Sequence, residues 1–436
     1  MTENFYFLSM HYVKNAATDE MGSNRLIISA YLSNTLEFFE YTLFGALGAV
    51  IQQTYFQEVI WINPQTLTIF AFCISLLVRP IGSFIFGYIG DKISRLLSLQ
   101  LSIACMTLAS LTMALLPSSA TIGETAVWIV LLSRVLQGIS AGGEYNGAAI
   151  FAIESYAHKP WKISGFLTSS AIMGLVLASI AALLLAQQGL PAYAWRIAFG
   201  FGSLIGLSSF LLRRVSQPPH HNEIYTQTTP QNKTLLFFTI FFIGGQTSAL
   251  SYFIFVTLKN ALKSLPQFVA IDPTYPILFT LLTSSLSAIG FATLAQQRFS
   301  KKIMHLGILG VIFLTPICLS LLSIPNLFLS ASALFVLALV LGCHGATQHA
   351  YFQSFVPPSF RQRLISVAFS FGTGILSSLV IWVTRDLHLI TPCITVFTFS
   401  LISLGAFLCI TTLENRYGIL YEKQQRHPVS SFKSAS

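Results

Sequence analysis

The chain has 436 residues, of which 54% are hydrophobic and only 9% are charged, and its mean hydropathy is +0.70. A soluble domain needs roughly a quarter of charged residues to cover its surface, so this composition excludes an ordinary soluble protein. The net charge of +9 is spread over short loops and forms no patch suited to nucleic acid. Apolar runs of about 20 residues recur along the chain, so we predict a protein that spans a membrane.

Hydropathy predicts twelve membrane-spanning helices. The first six lie at 27–51, 66–90, 96–116, 123–152, 163–188 and 195–212. The second six lie at 234–258, 273–296, 303–322, 325–354, 364–386 and 389–412. Similar glycine-containing and basic segments recur at corresponding positions in the two halves, which indicates an internal repeat. We therefore predict an all-α polytopic membrane protein of two six-helix bundles, 26–212 and 234–412, with an N-terminal tail at 1–25, a polar central loop at 213–233 and a C-terminal tail at 413–436.

The basic residues of the short loops predict the orientation. Most of them, Arg213 and Arg214 included, lie in loops on the same side as the N-terminus. The opposite side has only Arg196, Lys259, Lys263 and Arg385. Since the number of spans is even, we expect both termini in the cytoplasm. The polar N-terminal segment has no signal-peptide core, and Met1, Met10 and Met21 are each compatible with the true start.

Two carboxylates lie in the middle of the first predicted span, in SNTLEFFEYTLFG at 33–45. Glu37 and Glu40 are three residues apart, which places them on one face of a helix. Two carboxylates in an apolar environment cannot easily both ionise, so at least one is expected to hold a proton. This is the property of a proton-coupling group. The alternative is that both line a hydrated vestibule or contact a neighbouring helix.

A permanently charged arginine lies inside the fourth predicted span, in SRVLQGISAGGEYNG at 133–147. Arg134 must face a carboxylate, a substrate anion or water there, and we predict a pair with a first-span carboxylate. A structural salt bridge is the alternative. Gln137, Glu144 and Asn146 continue the same polar face and are predicted to line a substrate cavity. Glu144 could equally be buried against another helix.

A second group of charges lies at the ends of predicted spans. Arg79 in the second span could form a helix contact or part of a cavity entrance. Asp91, Lys92 and Arg95 follow that span and Glu154 ends the fourth, so they could form a charge cluster that latches one conformation. A solvated loop end is the alternative interpretation.

The second half has fewer charged residues at membrane depth. Gln246 and Tyr252 in the seventh span, with His344 and Gln348 in the tenth, are predicted to donate hydrogen bonds to a polar solute or to pack. His344 and His349 are five residues apart and do not face one way, so no metal site is expected. The six cysteines have neither disulfide nor metal-ligand spacing. We find no pattern typical of an enzyme.

Four stretches resemble the major facilitator superfamily and, within it, the metabolite:proton symporters of proline/betaine, oxoglutarate, citrate and shikimate. The stretch at 33–45 is similar to G-N-x-x-E-W-Y-D-F-x-x-Y-G, with Glu40 in place of Asp. RPIGSFIFGYIGDKISR at 79–95 resembles the loop G-x-x-x-D-R-x-G-R. RVLQGISAGGEYNGAAIFAIE at 134–154 resembles R-x-x-Q-G-x-x-x-G-G-E-W, and WRIAFGFG at 195–202 resembles W-R-I-P-F.

The resemblance is strong only before about residue 215. In QSFVPPSFRQR at 353–363, Gln353 replaces the glutamate that the family has at this position. The loop between the eighth and ninth spans has no acidic residue, so the C-terminal counterpart of the latch is expected to be weak.

The resemblance implies a twelve-helix major facilitator fold, alternating access and proton-driven import of a small polar metabolite. It implies proton coupling by Glu40 and Arg134, to which we add Glu37, and a possible substrate-side role for Glu144. It implies a latch of Asp91, Arg95 and Glu154, to which we add Arg79, Lys92 and Arg361. We expect a multi-pass monomer of the bacterial inner membrane that binds protons and a small solute, with no cofactor and no nucleic-acid partner.

The solute could be a zwitterion such as proline or betaine, which the balance of charged residues favours, or an organic acid. Three alternatives remain open at this point: an uncoupled facilitator, an antiporter of the same fold, and a non-transporting sensor.

Overall fold

The computed structural model describes residues 2–156, 159–187, 190–191, 193–214, 232–295, 299–383 and 401–412. All regular secondary structure in these ranges is helical, which agrees with the predicted all-α class. Helices of eight residues or more are numbered α1 to α14.

Seven numbered helices form the N-terminal half: α1 (Thr2–Ala46), α2 (Pro64–Leu77), α3 (Arg79–Lys92), α4 (Arg95–Leu115), α5 (Thr125–Ser155), α6 (Pro160–Leu185) and α7 (Ala194–Arg214). The helix Gly48–Ile51 and the π-helix Gln52–Phe56 follow α1, and the short helix Ser119–Ile122 precedes α5. Helices α2 and α3 form one span that is interrupted at Val78, where Pro80 lies in the first turn of α3.

The C-terminal half begins with α8 (Lys233–Tyr252), which continues into the π-helix Phe253–Leu258 and the short helix Lys259–Leu262. It continues with α9 (Thr274–Leu294), α10 (Ser300–Leu322), α11 (Leu327–Ala346), α12 (Gln348–Phe355), α13 (Arg361–Val383) and α14 (Leu401–Thr412). Single 3₁₀ turns lie at Pro266–Phe268 and Pro358–Phe360. Helices α11 and α12 together form one span.

Ten helical segments of the described ranges are long and apolar enough to cross a membrane, and they coincide with the second to eleventh predicted spans. The first predicted span lies in α1, where Asn34, Glu37 and Glu40 lower the hydropathy. The twelfth is described only from Leu401 to Thr412. Residues 2–25 of the predicted tail have a helical backbone and form the first part of α1. Most of the predicted loop 213–233, and all of the tail after Thr412, lie outside the described residues.

The two halves pack against each other through two pairs of helices, α3 with α13 and α6 with α9. Small residues allow these helices to approach closely. A side chain at Gly165 of α6 would collide with Ala288 and Ala292 of α9, and one at Gly87 of α3 would lie 2.7 Å from the Arg363 Cα of α13. The halves are therefore in close contact at the end where α3 ends and α13 begins, which we call the latch end.

The outer surface of the helices is strongly apolar. Leu77 (70% exposed), Leu132 (67%) and Phe313 (62%) are examples of large side chains without protein contacts over most of their area. A soluble protein rarely exposes so much contiguous apolar surface, whereas side chains that face lipid are expected to be apolar.

Candidate functional site

The middle of the N-terminal half contains a small pocket, which we call the cavity. It is lined by residues of α1 to α5: Glu37, Glu40, Tyr41, Ser75, Arg79, Met106, Arg134, Gln137, Gly138 and Ala141. Helix α1 supplies both glutamates and Tyr41, because positions 37, 40 and 41 share one helix face. The cavity therefore brings together two acidic and two basic side chains among apolar and aromatic neighbours.

Glu37 faces Arg79 of α3. The Glu37 Oε1 atom lies 3.4 Å from Arg79 Nη2, and Glu37 is 1% exposed. Neither oxygen of Glu37 accepts a hydrogen bond, and the Nε of Arg79 donates none. The Arg79 guanidinium lies 5.2 Å from the centre of the Tyr41 ring. This ion pair is loose, and its partners keep free capacity for hydrogen bonds.

Glu40 is connected to Arg134 through an amide. Gln137 Nε2 donates to Glu40 Oε2 at 3.2 Å, while Gln137 Oε1 accepts from Arg134 Nη1. Arg134 also donates to Ser75 Oγ at 2.8 Å and to the Ala71 carbonyl at 3.2 Å. The predicted direct pair of Arg134 with a first-span carboxylate is therefore wrong, because Gln137 lies between the two charges. The first-span carboxylate that does pair is Glu37, and its partner is Arg79.

The C-terminal half reaches this region through Tyr252, the last residue of α8. Its ring centre lies 5.8 Å from that of Tyr41 in an edge-to-face arrangement. Both hydroxyl groups are buried and have no hydrogen-bond partner. Tyr252 was predicted from its polarity at membrane depth, whereas Tyr41 was missed. The signal for Tyr41 was its position four residues after Glu37, on the same helix face.

Glu144 does not line the cavity. It forms an ion pair with Arg213 of α7, with 2.5 Å between Glu144 Oε1 and Arg213 Nη2, and it also accepts from Ser102. The alternative interpretation, burial against another helix, is therefore the one that the structure shows. The assignment of Arg213 to a polar loop is wrong, since its side chain is buried and also donates to Ser29, Ser33 and the Leu99 carbonyl. A lone arginine at a span end gave no signal of this.

Several other residues predicted to line the substrate cavity lie elsewhere in the structure: Asn146, Gln246, His344 and Gln348 are buried but are not among the cavity residues. Gln246 donates to Ser403 at 2.6 Å, and His344 Nε2 lies 3.3 Å from the Ile243 carbonyl. Gln348 accepts from Thr247 and donates to the Tyr145 hydroxyl across the boundary between the halves. Gln246, His344 and Gln348 therefore contact neighbouring helices, and helix packing closes the space around them.

The predicted charge cluster is present at the latch end. Arg95 lies 2.6 Å from Asp91 and 3.2 Å from Glu154, and Arg361 of the other half lies 2.7 Å from Glu154. Asp91 also accepts the backbone N–H groups of Gln362 (2.9 Å) and Arg363 (3.0 Å). Asp91 of one half therefore caps the first turn of α13 in the other half, where a negative charge is favourable.

Two predicted latch residues do not belong to this cluster. Arg79 lies in the cavity, paired with Glu37. Lys92 is exposed, and no ion pair joins it to another described residue. Arg363, which the sequence analysis left in a loop, contacts Asp91 at 3.2 Å instead. The predicted weakness of the counterpart latch depends on a loop that includes residues 296–298, which lie outside the described residues.

Residues 34–381 match the sequence profile of the Major Facilitator Superfamily. The chain belongs to the Major Facilitator Superfamily. It is therefore a multi-pass membrane protein and a transporter, not an enzyme, and the family and fold predicted from the four sequence stretches are confirmed. The proton:xylose symporter XylE, solved with a bound sugar analogue, has the same fold with a TM-score of 0.68 at 14% identity, over 91% of this chain and 96% of that chain.

Bacterial relatives within the superfamily are similar over most of the chain. A candidate proline/betaine transporter of Staphylococcus haemolyticus is 30% identical over 82% of this chain and 80% of its own length. One of Staphylococcus aureus (strain COL) is 29% identical over 91% of this chain and 89% of its own. The proline/betaine transporter of Salmonella typhimurium is 25% identical over 84% and 79%.

Proposed function

We propose that this protein is a proton-coupled symporter that imports a small zwitterion, such as proline or a betaine, across the bacterial cytoplasmic membrane by alternating access. The observation that carries the proposal is the cavity with Glu37, Glu40, Arg79 and Arg134, in which carboxylate oxygens remain without hydrogen-bond partners. An ionisable group at membrane depth costs about 2.5–3.5 kcal/mol or more and is usually functional. The names of the bacterial relatives support the choice of solute.

The charges of the cavity suit a solute that carries both signs. Glu37 and Arg79 are only loosely paired at 3.4 Å, so each can exchange its partner for a group of the solute. The carboxylate of a zwitterion would take the Arg79 guanidinium, which binds carboxylates in a two-point geometry. Its ammonium group would take Glu37 and the face of the Tyr41 ring. A dicarboxylate would satisfy Arg79 but leave Glu37 facing a like charge.

In this proposal Glu40 carries the proton. It lies one helical turn from Glu37 and is held through Gln137, so proton and solute have neighbouring but separate positions. Protonation of Glu40 weakens the attraction to Arg134 that the Gln137 amide transmits. The contact of α1 with α5 would therefore respond to the proton, which is the step that couples a gradient to a change of conformation.

The latch supplies the second element of alternating access. Asp91 binds the first turn of α13, and Glu154 binds Arg361, so both acids hold the two halves together at the latch end. We assign this end to the cytoplasmic side, on which the short basic loops are predicted to lie. The conformation described would then be closed towards the cytoplasm. Release of the solute requires these contacts to break.

The test is uptake into proteoliposomes of labelled proline, glycine betaine and citrate, with and without an inward proton gradient. We expect proline or glycine betaine to accumulate only with the gradient, and citrate not to accumulate. In Glu40→Gln, accumulation should be lost while exchange of preloaded solute remains.

The alternatives give other results. Equilibration without accumulation would indicate an uncoupled facilitator, and uptake driven by an internal counter-solute would indicate an antiporter. Accumulation of citrate alone would refute the zwitterion, and full accumulation in Glu40→Gln would place the proton elsewhere. Absence of flux for all solutes would favour the sensor.

A further inference from the structure

Helix α7 passes Glu40 at a residue without a side chain. A Cβ atom built at Gly202 would collide with the Glu40 Oε1 oxygen. The next nearest atoms to that position are Glu40 Cδ at 3.1 Å and Leu36 Cδ1 at 3.2 Å. The carboxyl group of Glu40 therefore occupies the space that any side chain at position 202 would need.

The two oxygens of Glu40 have different surroundings. Oε2 accepts from Gln137 Nε2 at 3.2 Å, whereas Oε1 points to Gly202 and accepts no hydrogen bond. The orientation of the amide follows from its other partner, since the guanidinium of Arg134 has donors only and must face the amide oxygen. The amide nitrogen is thus committed to Glu40. One carboxyl oxygen is held by the hydrogen bond from Gln137, and the other lies in the space that the missing side chain of Gly202 leaves free.

Each helix around Glu40 presents a defined set of groups. Helix α5 presents Arg134 and Gln137, and α3 presents Arg79 across the cavity. Helix α1 itself adds Glu37 and Tyr41, α2 adds Ser75, and α4 adds the apolar Met106 and the hydroxyl group of Ser110, which lies close to the carboxyl. Helix α7 contributes Gly202 at this level, while its buried Arg213 is paired with Glu144. A shift of the carboxyl away from α7 would therefore move it towards the charged side of the cavity.

We propose that Gly202 is a positioning residue for Glu40: the missing side chain keeps this carboxyl beside α7 and so sets the pH response of the protein. The proposal rests on the proposed function in so far as Glu40 carries the transported proton. The side chain of Glu40 is long enough to reach the space that Gly202 leaves free.

Replacement of Gly202 by alanine is expected to be tolerated by the fold. The new Cβ meets the end of a flexible side chain, which can move. Some other glycines of this half lack that freedom. A Cβ at Gly142, for example, would collide with the backbone carbonyl of Arg79 and force two helices apart. In Gly202→Ala the expected change is therefore a displaced Glu40 carboxyl in a folded protein.

The experiment is a pH titration of the protonated Glu40 carboxyl by infrared difference spectroscopy on the purified full-length protein. The band is identified as the one that disappears in Glu40→Gln. We expect Gly202→Ala to move its midpoint by about 1 pH unit, the size of effect produced by gaining or losing one hydrogen bond to a carboxylate. Gly200→Ala is the matched control, because a side chain there meets no atom within 4 Å, and its midpoint should equal that of the unmodified protein.

A double-mutant cycle separates positioning from a general effect on α7. The shorter side chain in Glu40→Asp withdraws from Gly202, so Glu40→Asp and Glu40→Asp/Gly202→Ala should titrate alike. An unchanged midpoint in folded Gly202→Ala would overturn the proposal, as would equal shifts in Gly202→Ala and Gly200→Ala. The proposal would also be overturned if Gly202→Ala moved the midpoint by the same amount in the Glu40→Asp protein as in the otherwise unmodified protein.

The infrared midpoint is independent of transport. If the gradient-driven uptake test failed while the midpoint moved as expected, the proposed function would be wrong and the positioning role of Gly202 would stand. If symport held, the pH profile of uptake should shift with the midpoint in Gly202→Ala and stay unchanged in Gly200→Ala. Symport with an unmoved midpoint would leave the proposed function intact and refute the role of Gly202.

Discussion

Glu144 and Glu37 are both buried carboxylates of the N-terminal half, and each faces a buried arginine. Glu144 lies 2.5 Å from Arg213, accepts two hydrogen bonds from it and another from Ser102. Glu37 lies 3.4 Å from Arg79 and accepts no hydrogen bond. The same two residue types at similar burial therefore form a saturated pair in one place and an open pair in the other.

Under the proposed function, the open pair of Glu37 with Arg79 is the one that acts, and the saturated pair of Glu144 with Arg213 is the one that stabilises. A buried ion pair is tolerable when further hydrogen bonds satisfy its remaining atoms, as those from Arg213 to Ser29, Ser33 and the Leu99 carbonyl do. An incompletely satisfied carboxylate lowers stability, and such groups are retained mainly where a function uses them. Burial alone would not have separated Glu37 from Glu144. The number of side-chain atoms with hydrogen-bond partners does separate them.

The largest expected effect is the loss of stability in Glu144→Gln. The substitution keeps the shape of the side chain but leaves the Arg213 guanidinium buried without a counter-charge, which costs about 3–5 kcal/mol. Glu37→Gln is the matched control: it also removes a counter-charge, from Arg79, but this pair is looser at 3.4 Å and its carboxylate has no hydrogen bonds to lose, so we expect less than half of that loss. The measurement is thermal unfolding of both variants in detergent.

Equal losses in the two variants would contradict the distinction between a saturated and an open pair. A double replacement, Glu144→Leu with Arg213→Met, sharpens the test. It should recover most of the stability, because exchange of a whole buried pair for apolar residues is often neutral. If it did not, the cost in Glu144→Gln would come from lost packing instead of an unpaired charge.

The fold was largely predictable from the sequence because its dominant signal is hydropathy. Ten predicted spans coincide with apolar helices, since a helix that crosses a bilayer needs a long run of apolar residues wherever it packs. The first span gave a weaker signal, because its polar residues Glu37 and Glu40 lower the hydropathy of the segment.

The site was predictable only in part. Depth in the membrane identified Glu37, Glu40, Arg79 and Arg134 as charges that need a partner, and all four line the cavity. Partners depend on how helices pack, which a single sequence does not encode locally. Arg134 was therefore paired with the wrong group. For the same reason the sequence did not reveal the burial of Arg213. Its position at a span end is typical of a loop cation, although helix packing buries it.

An intermediate effect is expected at the latch, which is a third kind of acidic site because its partners belong to both halves. Asp91→Asn keeps a side-chain oxygen but removes the charge at the first turn of α13, which is worth about 0.3–2 kcal/mol, or about a two- to thirty-fold change in an equilibrium. The latch end should open more often. The measurement is the rate at which a water-soluble maleimide labels Ser366→Cys, a buried position of α13, in a cysteine-free background.

Lys92→Gln is the control for this experiment. Lys92 is adjacent to Asp91 but exposed and outside the described ion pairs, so the labelling rate should not change. Faster labelling in Lys92→Gln would show that Lys92 contributes to the latch. An unchanged rate in Asp91→Asn would show that the contacts of Glu154 with Arg95 and Arg361 hold the halves together without Asp91.

The smallest effect is expected at Asp272, an exposed carboxylate just before α9 and outside the spans. Hydrogen bonds from the Thr274 side chain and backbone N–H lower the pKa of Asp272, with a smaller contribution from Lys259 and Lys263. A carboxyl whose pKa is lowered on folding stabilises the protein above its ordinary pKa, and this contribution disappears as the pH falls through the folded value.

Asp272→Asn keeps an oxygen that can accept from the Thr274 N–H, as Asp272 Oδ1 does at 2.8 Å, but loses the charge. We expect a loss of about 0.5 kcal/mol or less near pH 7, because water screens an exposed carboxylate. The difference in melting temperature between this variant and the unmodified protein should shrink towards zero as the pH falls through the lowered pKa of Asp272, since both side chains are neutral below it. A constant difference over that range would show that the charge is not its cause. Replacement of an exposed, hydrogen-bonded carboxylate by its amide is thus expected to cost less stability than the same replacement at the buried Glu144 or Glu37.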